Sequence, residues 1–172
     1  MTGFQQEKAV VRAFHAELSA SAPDGAAEVL ARYVTPDLHW RGVHPFNEQR
    51  GAEAIAAAFW AMLRSSFPQA RFRVEHTIGR VDDFMPPRAA IRWTLEGRHE
   101  GWGAFGRPTG AEVYVMGISH AEFGPRGIRR EYALFDEVAV WKQILLQTAE
   151  LREVPDREGR VPPGVVKLGP TG

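Results

Sequence analysis

Asp136 is the residue of this chain whose neighbours best suit proton transfer. It ends the run "REYALFD", and the segment "YALF" before it would surround a carboxylate with low-dielectric material. A carboxyl held that way can take a proton from a carbon beside a carbonyl and later return it. Aspartate is also a favoured helix N-cap, and the apolar text that follows fits that role equally well. His120, in "GISHAEF", could polarise a carbonyl or carry a proton near neutral pH; the alternative is a surface or satisfied core histidine. In "HWRGVHPFNEQRG", His44 is either a polar group at a pocket mouth or part of a surface turn. Trp40 beside it is an apolar wall with a free N–H, or a packing residue of the first strand. Trp60, Trp93 and Trp102, with Phe59, Phe105 and Met116, add flat apolar surface that suits a ligand pocket or ordinary core and dimer contacts.

The elements that must position these residues follow from periodicity. Val11, Phe14 and Leu18 recur at helical spacing within 4–21. "SAPDG" interrupts, and Asp24 is placed to cap a second helix running to about Tyr33. "DLHWRGV" alternates as a strand. Ile55, Phe59, Met62 and Leu63 mark a third helix from Ala52 to Ser66, stopped by Pro68. The period then changes to two. Phe72, Val74, His76 and Ile78 share one side of a strand, and Ala89, Ile91, Trp93 and Leu95 share one side of the next. "AEVYVMGISHAEF" and "IRREYALFD" follow as strands, the latter turning helical after Asp136. On alternation, His120 shares a face with Tyr114, Met116 and Ile118, read as a cavity wall, and Asp136 shares one with Ile128, Arg130, Tyr132 and Leu134.

Helices first and a four-strand meander afterwards define an α+β class with an antiparallel sheet. Such a sheet can curl into a cone over the helices and enclose a pocket. The "GWGAFG" connection matches G-x-G-x-x-G formally, but no helix follows it, so a dinucleotide site is rejected in favour of a lid over the pocket. Among the 172 residues there is no cysteine, so disulfides and thiolate metal sites are excluded, and the histidines show no metal-ligand spacing. A net charge of zero argues against nucleic acid or an anionic membrane as partner. No stretch approaches the roughly 20 apolar residues of a membrane span, and no signal sequence opens the chain, so a soluble cytoplasmic protein is expected. The arginine and alanine content hints at a bacterial source. The domain is read as 1–150, and the proline- and glycine-rich 151–172 as a tail.

Four segments carry a resemblance to a known family: "YVTPDLHWRG" at 33–42, "RGAEAIAAAFWAMLRSSFP" at 50–68, "GRPTGAEVYVMGISHAEF" at 106–123 and "GIRREYALFDEVAVWKQ" at 127–143. Over residues 8–147 the chain resembles the nuclear transport factor two-like superfamily, and within it the SnoaL-like polyketide cyclases. The resemblance implies a conical barrel of a curved antiparallel sheet packed on three N-terminal helices, often in a homodimer. It implies cofactor-free acid/base catalysis, an aldol-type cyclisation or isomerisation of a small apolar carbonyl compound. Asp136 would be the general acid/base, assisted by His120 or His44. Trp40, Phe59, Trp60, Trp93, Trp102, Tyr114, Met116 and Tyr132 would bind the substrate. Because the superfamily mixes chemistries, a non-catalytic ligand-binding or dimerisation module remains an alternative. A dehydratase or epoxide hydrolase of the same fold is another, although no Asp-Arg-Asp array is evident for the latter.

Overall fold

A computed structural model describes residues 3–148. The tail assigned to 151–172, and the domain boundary at 150, lie outside the described residues. Helix α1 (Gly3–Ala20) and helix α2 (Ala26–Tyr33) lead into strands β1 (Val34–Gly42) and β2 (Glu48–Arg50). Helices α3 (Ala52–Ile55) and α4 (Met62–Ser66) are joined by a π-helical stretch, Ala56–Ala61, into one rod. Strands β3 (Arg71–Asp82), β4 (Met85–Arg98), β5 (Glu112–Gly124) and β6 (Gly127–Phe135) form the meander, and helix α5 (Glu137–Gln147) closes the described chain. The expected helices and long strands are present. Asp24, however, sits in a short 3-10 turn, and α2 begins without a side-chain cap.

The strands make one curved, open six-stranded sheet in the order β2-β1-β6-β5-β4-β3. It is mixed rather than wholly antiparallel, because β1 runs parallel to β6. The helices cover its inner face. Val11, Phe14, His15 and Leu18 are the buried stripe of α1, at the i, i+3, i+4, i+7 spacing of an amphipathic helix. Ala89, Ile91, Trp93 and Leu95 of β4 face inward as alternation predicts. β3 departs from its pattern. A register shift between Val74 and His76 reverses its alternation, so that Phe72 and Val74 face the core while Ile78 is 69% exposed. A β-bulge of this kind inserts one residue and re-aims every side chain beyond it.

A transverse row explains how α1 approaches the sheet. Trp40, Glu131, Ala121, Ala89 and Gly79 are register partners across β1, β6, β5, β4 and β3. The row shrinks to small residues toward β3. At Gly79 the helix is so close that a Cβ would stand 2.9 Å from Lys8 Cγ and 3.0 Å from the Phe4 carbonyl oxygen.

The glycine-rich connection is a docked strap. Its Glu100 and Gly101 N–H groups donate to the Ser66 carbonyl at 3.2 and 3.3 Å, and Ala104 N–H donates to Met62 O at 3.3 Å. The Ser66 carbonyl lies at the C-terminal end of α4, where a helix leaves acceptors unsatisfied, and Met62 lies one turn before it. Phe105 is buried, packing on Phe67 and on Trp141 of α5. A lid over an interior pocket is therefore not what this segment forms; it caps a helix.

Beyond the end of β6, the backbone of β5 pairs with side chains of α5. Gln143 exchanges hydrogen bonds with both N–H and C=O of Tyr114, and Gln147 does the same for Glu112. Two glutamines one helical turn apart thus occupy positions a further strand would take, which covers an edge otherwise open to pairing.

His99 is the pin of the strap. Its ring Nδ1 meets Thr109 Oγ1 at 3.1 Å, its backbone N–H donates to Ala111, and its carbonyl accepts from Thr109 and Gly110. Burial pushes this imidazole below its ordinary pKa of 6.5, against a smaller opposing contribution from the Gly106 backbone. The folded state therefore binds fewer protons at His99 than the unfolded chain. Its contribution is intact above pH 6.5 and is lost as pH falls below that value, at no more than about 1.4 kcal/mol per pH unit. Urea midpoints between pH 7.5 and 5 should fall more steeply for wild type than for His99→Gln; parallel slopes would exclude His99 as the source.

Candidate functional site

The interior of the cone is a stack of aromatic rings. Trp40 packs on Phe59 at 4.8 Å between ring centroids, Phe59 on Trp60 at 4.9 Å, and Phe72 on Trp93 at 5.2 Å. Phe135 touches Phe46, Phe59 and Trp93. The π-helical stretch helps here. Its wider turn reduces the angle between successive side chains, and Phe59 and Trp60, adjacent in sequence, are both buried. Trp93 lies over Gly117, its register partner, where a Cβ would fall 2.2 Å from the indole.

Within this apolar interior sits one pair of ionisable groups. His15 Nε2 of α1 lies 3.4 Å from Glu131 Oε1 of β6, and both side chains are 1% exposed. The contact is an ion-pair distance without hydrogen-bond geometry, and both Glu131 oxygens and His15 Nδ1 have no hydrogen-bond partner. The imidazole stacks parallel to Phe72 and meets Trp60 edge-on, each at 6.0 Å. Buried polar groups are nearly always satisfied. Among the described residues, a buried glutamate with two unbonded oxygens beside an imidazole is therefore an arrangement suited to proton transfer.

The residues expected to carry chemistry are placed elsewhere. Asp136 is exposed, and its Oδ1 accepts from Ala139 N–H at 2.8 Å as the N-cap of α5. The apolar enclosure expected around it is absent, because Ala133 and Phe135 point inward while Asp136 begins the exit from the sheet. His120 is on the outer face of β5, its ring 6.1 Å from that of Tyr132. Tyr132 is its register partner, so four residues of strand, about 13 Å, separate that row from Asp136. His44 is exposed on the β1–β2 turn, next to a cis proline. The structure does not bring Asp136, His120 and His44 together.

The expected binding residues divide in two. Trp40, Phe59, Trp60 and Trp93 are inside. Tyr114 and Met116 are 49% and 55% exposed on the outer sheet face, Tyr132 is half-buried on the same face opposite His120, and Trp102 is 69% exposed on the strap. The inward face of β5 is instead Val113, Val115, Gly117, Ser119 and Ala121. Both faces of this strand are apolar, so alternation alone does not decide which one is buried.

Two surface concavities of about 600 and 640 Å³ lie apart from the interior pair. One is between α2 and the start of α3; the other is between the strap and α5. Asp82, with Arg80 at 3.0 Å and Arg88 at 2.6 Å, also accepts from the Phe84 and Met85 N–H groups and so organises the β3–β4 turn. Among the described residues, no three of His, Asp or Glu converge in a way that could hold a metal ion. No helix among them is long and apolar enough to cross a membrane.

The curved sheet over N-terminal helices defines a class, and comparison with known proteins identifies it. The SnoaL-like domain model matches residues 11–130, more than half of the chain, and the protein belongs to that family. A SnoaL-like polyketide cyclase candidate from Jannaschia sp. CCS1 superposes with a TM-score of 0.69 at 22% identity, covering 84% of this chain and 94% of its own. TsrD from Streptomyces laurentii gives 0.61 at 20% identity, covering 80% and 96%. A nuclear transport factor two-like protein from Burkholderia thailandensis gives 0.62 at 15% identity, with the same coverages of 80% and 96%. At these identities the likeness shows the fold. No curated protein matches the chain.

Proposed function

We propose that the chain is a cofactor-free acid/base enzyme of the SnoaL-like kind, acting on a small apolar carbonyl compound inside the cone, with Glu131 and His15 as the proton-handling pair. One observation carries this reading: an acid–imidazole pair sealed in an aromatic interior with three polar atoms free of hydrogen bonds. In the step it suits, a Glu131 oxygen takes the proton from a carbon beside a carbonyl. The C–H bond breaks, an O–H bond forms, and the electron pair moves onto the carbonyl oxygen. The enolate carbon then attacks a second carbonyl, a C–C bond forms, and the proton returns to the new alkoxide. His15 beside Glu131 balances the carboxylate charge between steps. At 1% exposure the pair is closed to solvent, so substrate entry requires the Trp60 and Phe72 rings over His15 to part.

The test is turnover on a panel of 1,3-dicarbonyl compounds. Glu131→Gln should lose at least about 100-fold. Asp136→Ala should retain turnover and lose only a helix cap, about 1 kcal/mol in urea unfolding. The reverse pattern would return the chemistry to Asp136 as the SnoaL-like resemblance implies. A wild type inert on every compound would favour a non-catalytic ligand-binding module.

The same reading pairs two copies through the outer sheet face. Met116, Ile118 and Leu134 are each more than half exposed there, and Ile118 and Leu134 are register partners. Contiguous apolar surface of this kind marks interaction sites. Met116→Lys should shift the sedimentation coefficient from dimer to monomer; a wild type that sediments as a monomer would end this proposal.

A further inference from the structure

Helix α5 carries more apolar surface than its contacts with the sheet use. Val140 and Ile144 are buried in the core, and Gln143 and Gln147 are bonded to the backbone of β5. A third face presents Val138, Trp141 and Leu145 at i, i+3 and i+7, exposed by 67%, 39% and 36%. A helix normally buries an apolar stripe of that spacing. The stripe runs into the groove of about 640 Å³ between α5 and the strap, where Trp141 and Leu145 stand beside Phe105, Pro108 and Ile144. The Phe105 and Trp141 rings meet edge-on there, 5.5 Å between centroids. Thr148 lines the same groove and is the last described residue. The sequence that follows it has two halves of opposite character. Residues 149–160, "AELREVPDREGR", hold seven charged side chains in twelve, the composition of a solvated spacer. Residues 161–168, "VPPGVVKL", hold a single charge, at Lys167, and are otherwise apolar apart from Gly164.

We propose that residues 161–168 of the same chain dock in the groove between α5 and the strap, with the Pro162–Pro163 pair against the aromatic wall of Trp141 and Phe105. Three arguments select this occupant. Proline-rich segments dock on aromatic-lined grooves, because their fixed φ leaves little conformational entropy to lose. The spacer reaches: twelve residues extend to roughly 40 Å, whereas Trp141 lies seven residues back from Thr148 along the helix, about 10 Å. The tether also holds the segment at an effective concentration on the order of millimolar, which a free partner does not match. The consequence falls on the strap. Phe105 is the side chain that anchors it between Phe67 and Trp141, so a segment seated on Phe105 and Trp141 clamps the strap to the end of α4. The proposal is independent of any chemistry at Glu131.

The chain has no cysteine, so Gly169→Cys in the full-length protein gives a single attachment point for a nitroxide beside the docked segment. In 15N-labelled protein the spin label is expected to broaden the Trp141 indole signal and the amides of Phe105, Gly106 and Leu145. The amides of the outer sheet face, Met116 and Ile118 among them, should stay sharp. Val166→Asp in the same labelled chain should cut the paramagnetic broadening at Trp141 severalfold, because a carboxylate is costly to seat in an apolar groove. It should also lower the hydrogen-exchange protection of the Glu100, Gly101 and Ala104 amides on the strap. A label that broadens nothing in the groove, or broadens groove and outer face alike, would overturn the proposal. So would broadening that Val166→Asp leaves unchanged, since the tether alone would then account for it. A mixture of 15N-labelled chains without nitroxide and unlabelled chains with it supplies the last arm. Groove signals broadened there as strongly as in the singly labelled chain would assign the groove to the segment of a second copy and end the proposal for the same chain.

Discussion

Replacing His15 by leucine is expected to cost about 3–5 kcal/mol of folding stability, while replacing His15 and Glu131 together by leucine and methionine recovers most of that loss. The single change leaves a carboxylate in an interior where its side chain is 1% exposed and has no other partner. Neither of its oxygens accepts a hydrogen bond, so nothing else in the fold compensates its charge. Glu131→Leu should cost less, because the imidazole left behind can remain neutral. The double change removes both desolvation penalties and keeps the volume filled, and such exchanges are often neutral or stabilising. A four-member cycle of urea unfolding curves measures all of these terms. A His15→Leu variant within about 1 kcal/mol of wild type would mean that Glu131 is hydrated, and that the interior is not dry. The comparison with turnover then separates two reasons for keeping the pair. A double variant that is stable yet inactive shows ionisable groups retained for chemistry at the expense of stability.

His15 shows why the fold was more legible than the site. It occupies the i+4 position from Val11 on the buried stripe of α1. Val11, Phe14 and Leu18 make the helical period visible by their apolar character, and a histidine among them does not change that period. A histidine on an apolar stripe was the available signal. Glu131 was hidden differently. It stands in "RREY", where charged neighbours suggest a solvated face, and a register shift between Glu122 and Phe123 on the partner strand disturbs the alternation that would place it. Beyond the shift, Glu131, Ala133 and Phe135 turn inward together. The apolar neighbours of Asp136 in sequence suggest enclosure. In space those neighbours alternate, and the residue after Phe135 leaves the sheet to cap a helix.

The strands divide along the same physical line. β4 was readable because only one of its faces is apolar: Ile91 and Trp93 are buried, and Arg92 between them is exposed and bonded to Glu75. β5 was not, because Met116 and Ile118 on one face are as hydrophobic as Val113 and Val115 on the other. The outer face of β5 is apolar and exposed, and the proposed second copy would cover it. β3 failed at its bulge, which no residue type announces. The family segments, by contrast, fixed element order across all these ambiguities.

Gly101→Ala is expected to destabilise the fold by about 2–4 kcal/mol, although the residue lies on the surface strap far from the ring stack. A Cβ at Gly101 would stand 1.8 Å from the Ser65 carbonyl oxygen, and one at Gly103 would stand 2.3 Å from that of Met62. Both obstacles are helix backbone, which cannot rotate aside. The strap must lift, and with it go the N–H groups of Glu100, Gly101 and Ala104 that satisfy the end of α4. Phe105, wedged between Phe67 and Trp141, is then drawn from its site. Gly106 provides the control. Its φ of 77° is unfavourable for any side chain, yet no atom lies within 4 Å of a Cβ there, so Gly106→Ala should cost only the left-handed strain, about 1–2 kcal/mol. Hydrogen exchange distinguishes the mechanisms further: the Glu100, Gly101 and Ala104 amides should lose protection in Gly101→Ala and keep it in Gly106→Ala. Equal costs for the two substitutions, with protection unchanged in both, would mean that the glycines serve the turn alone. The opposite result ties the spacing that imitates a dinucleotide-binding fingerprint to a different need, the close approach of one backbone to the carbonyl end of a helix.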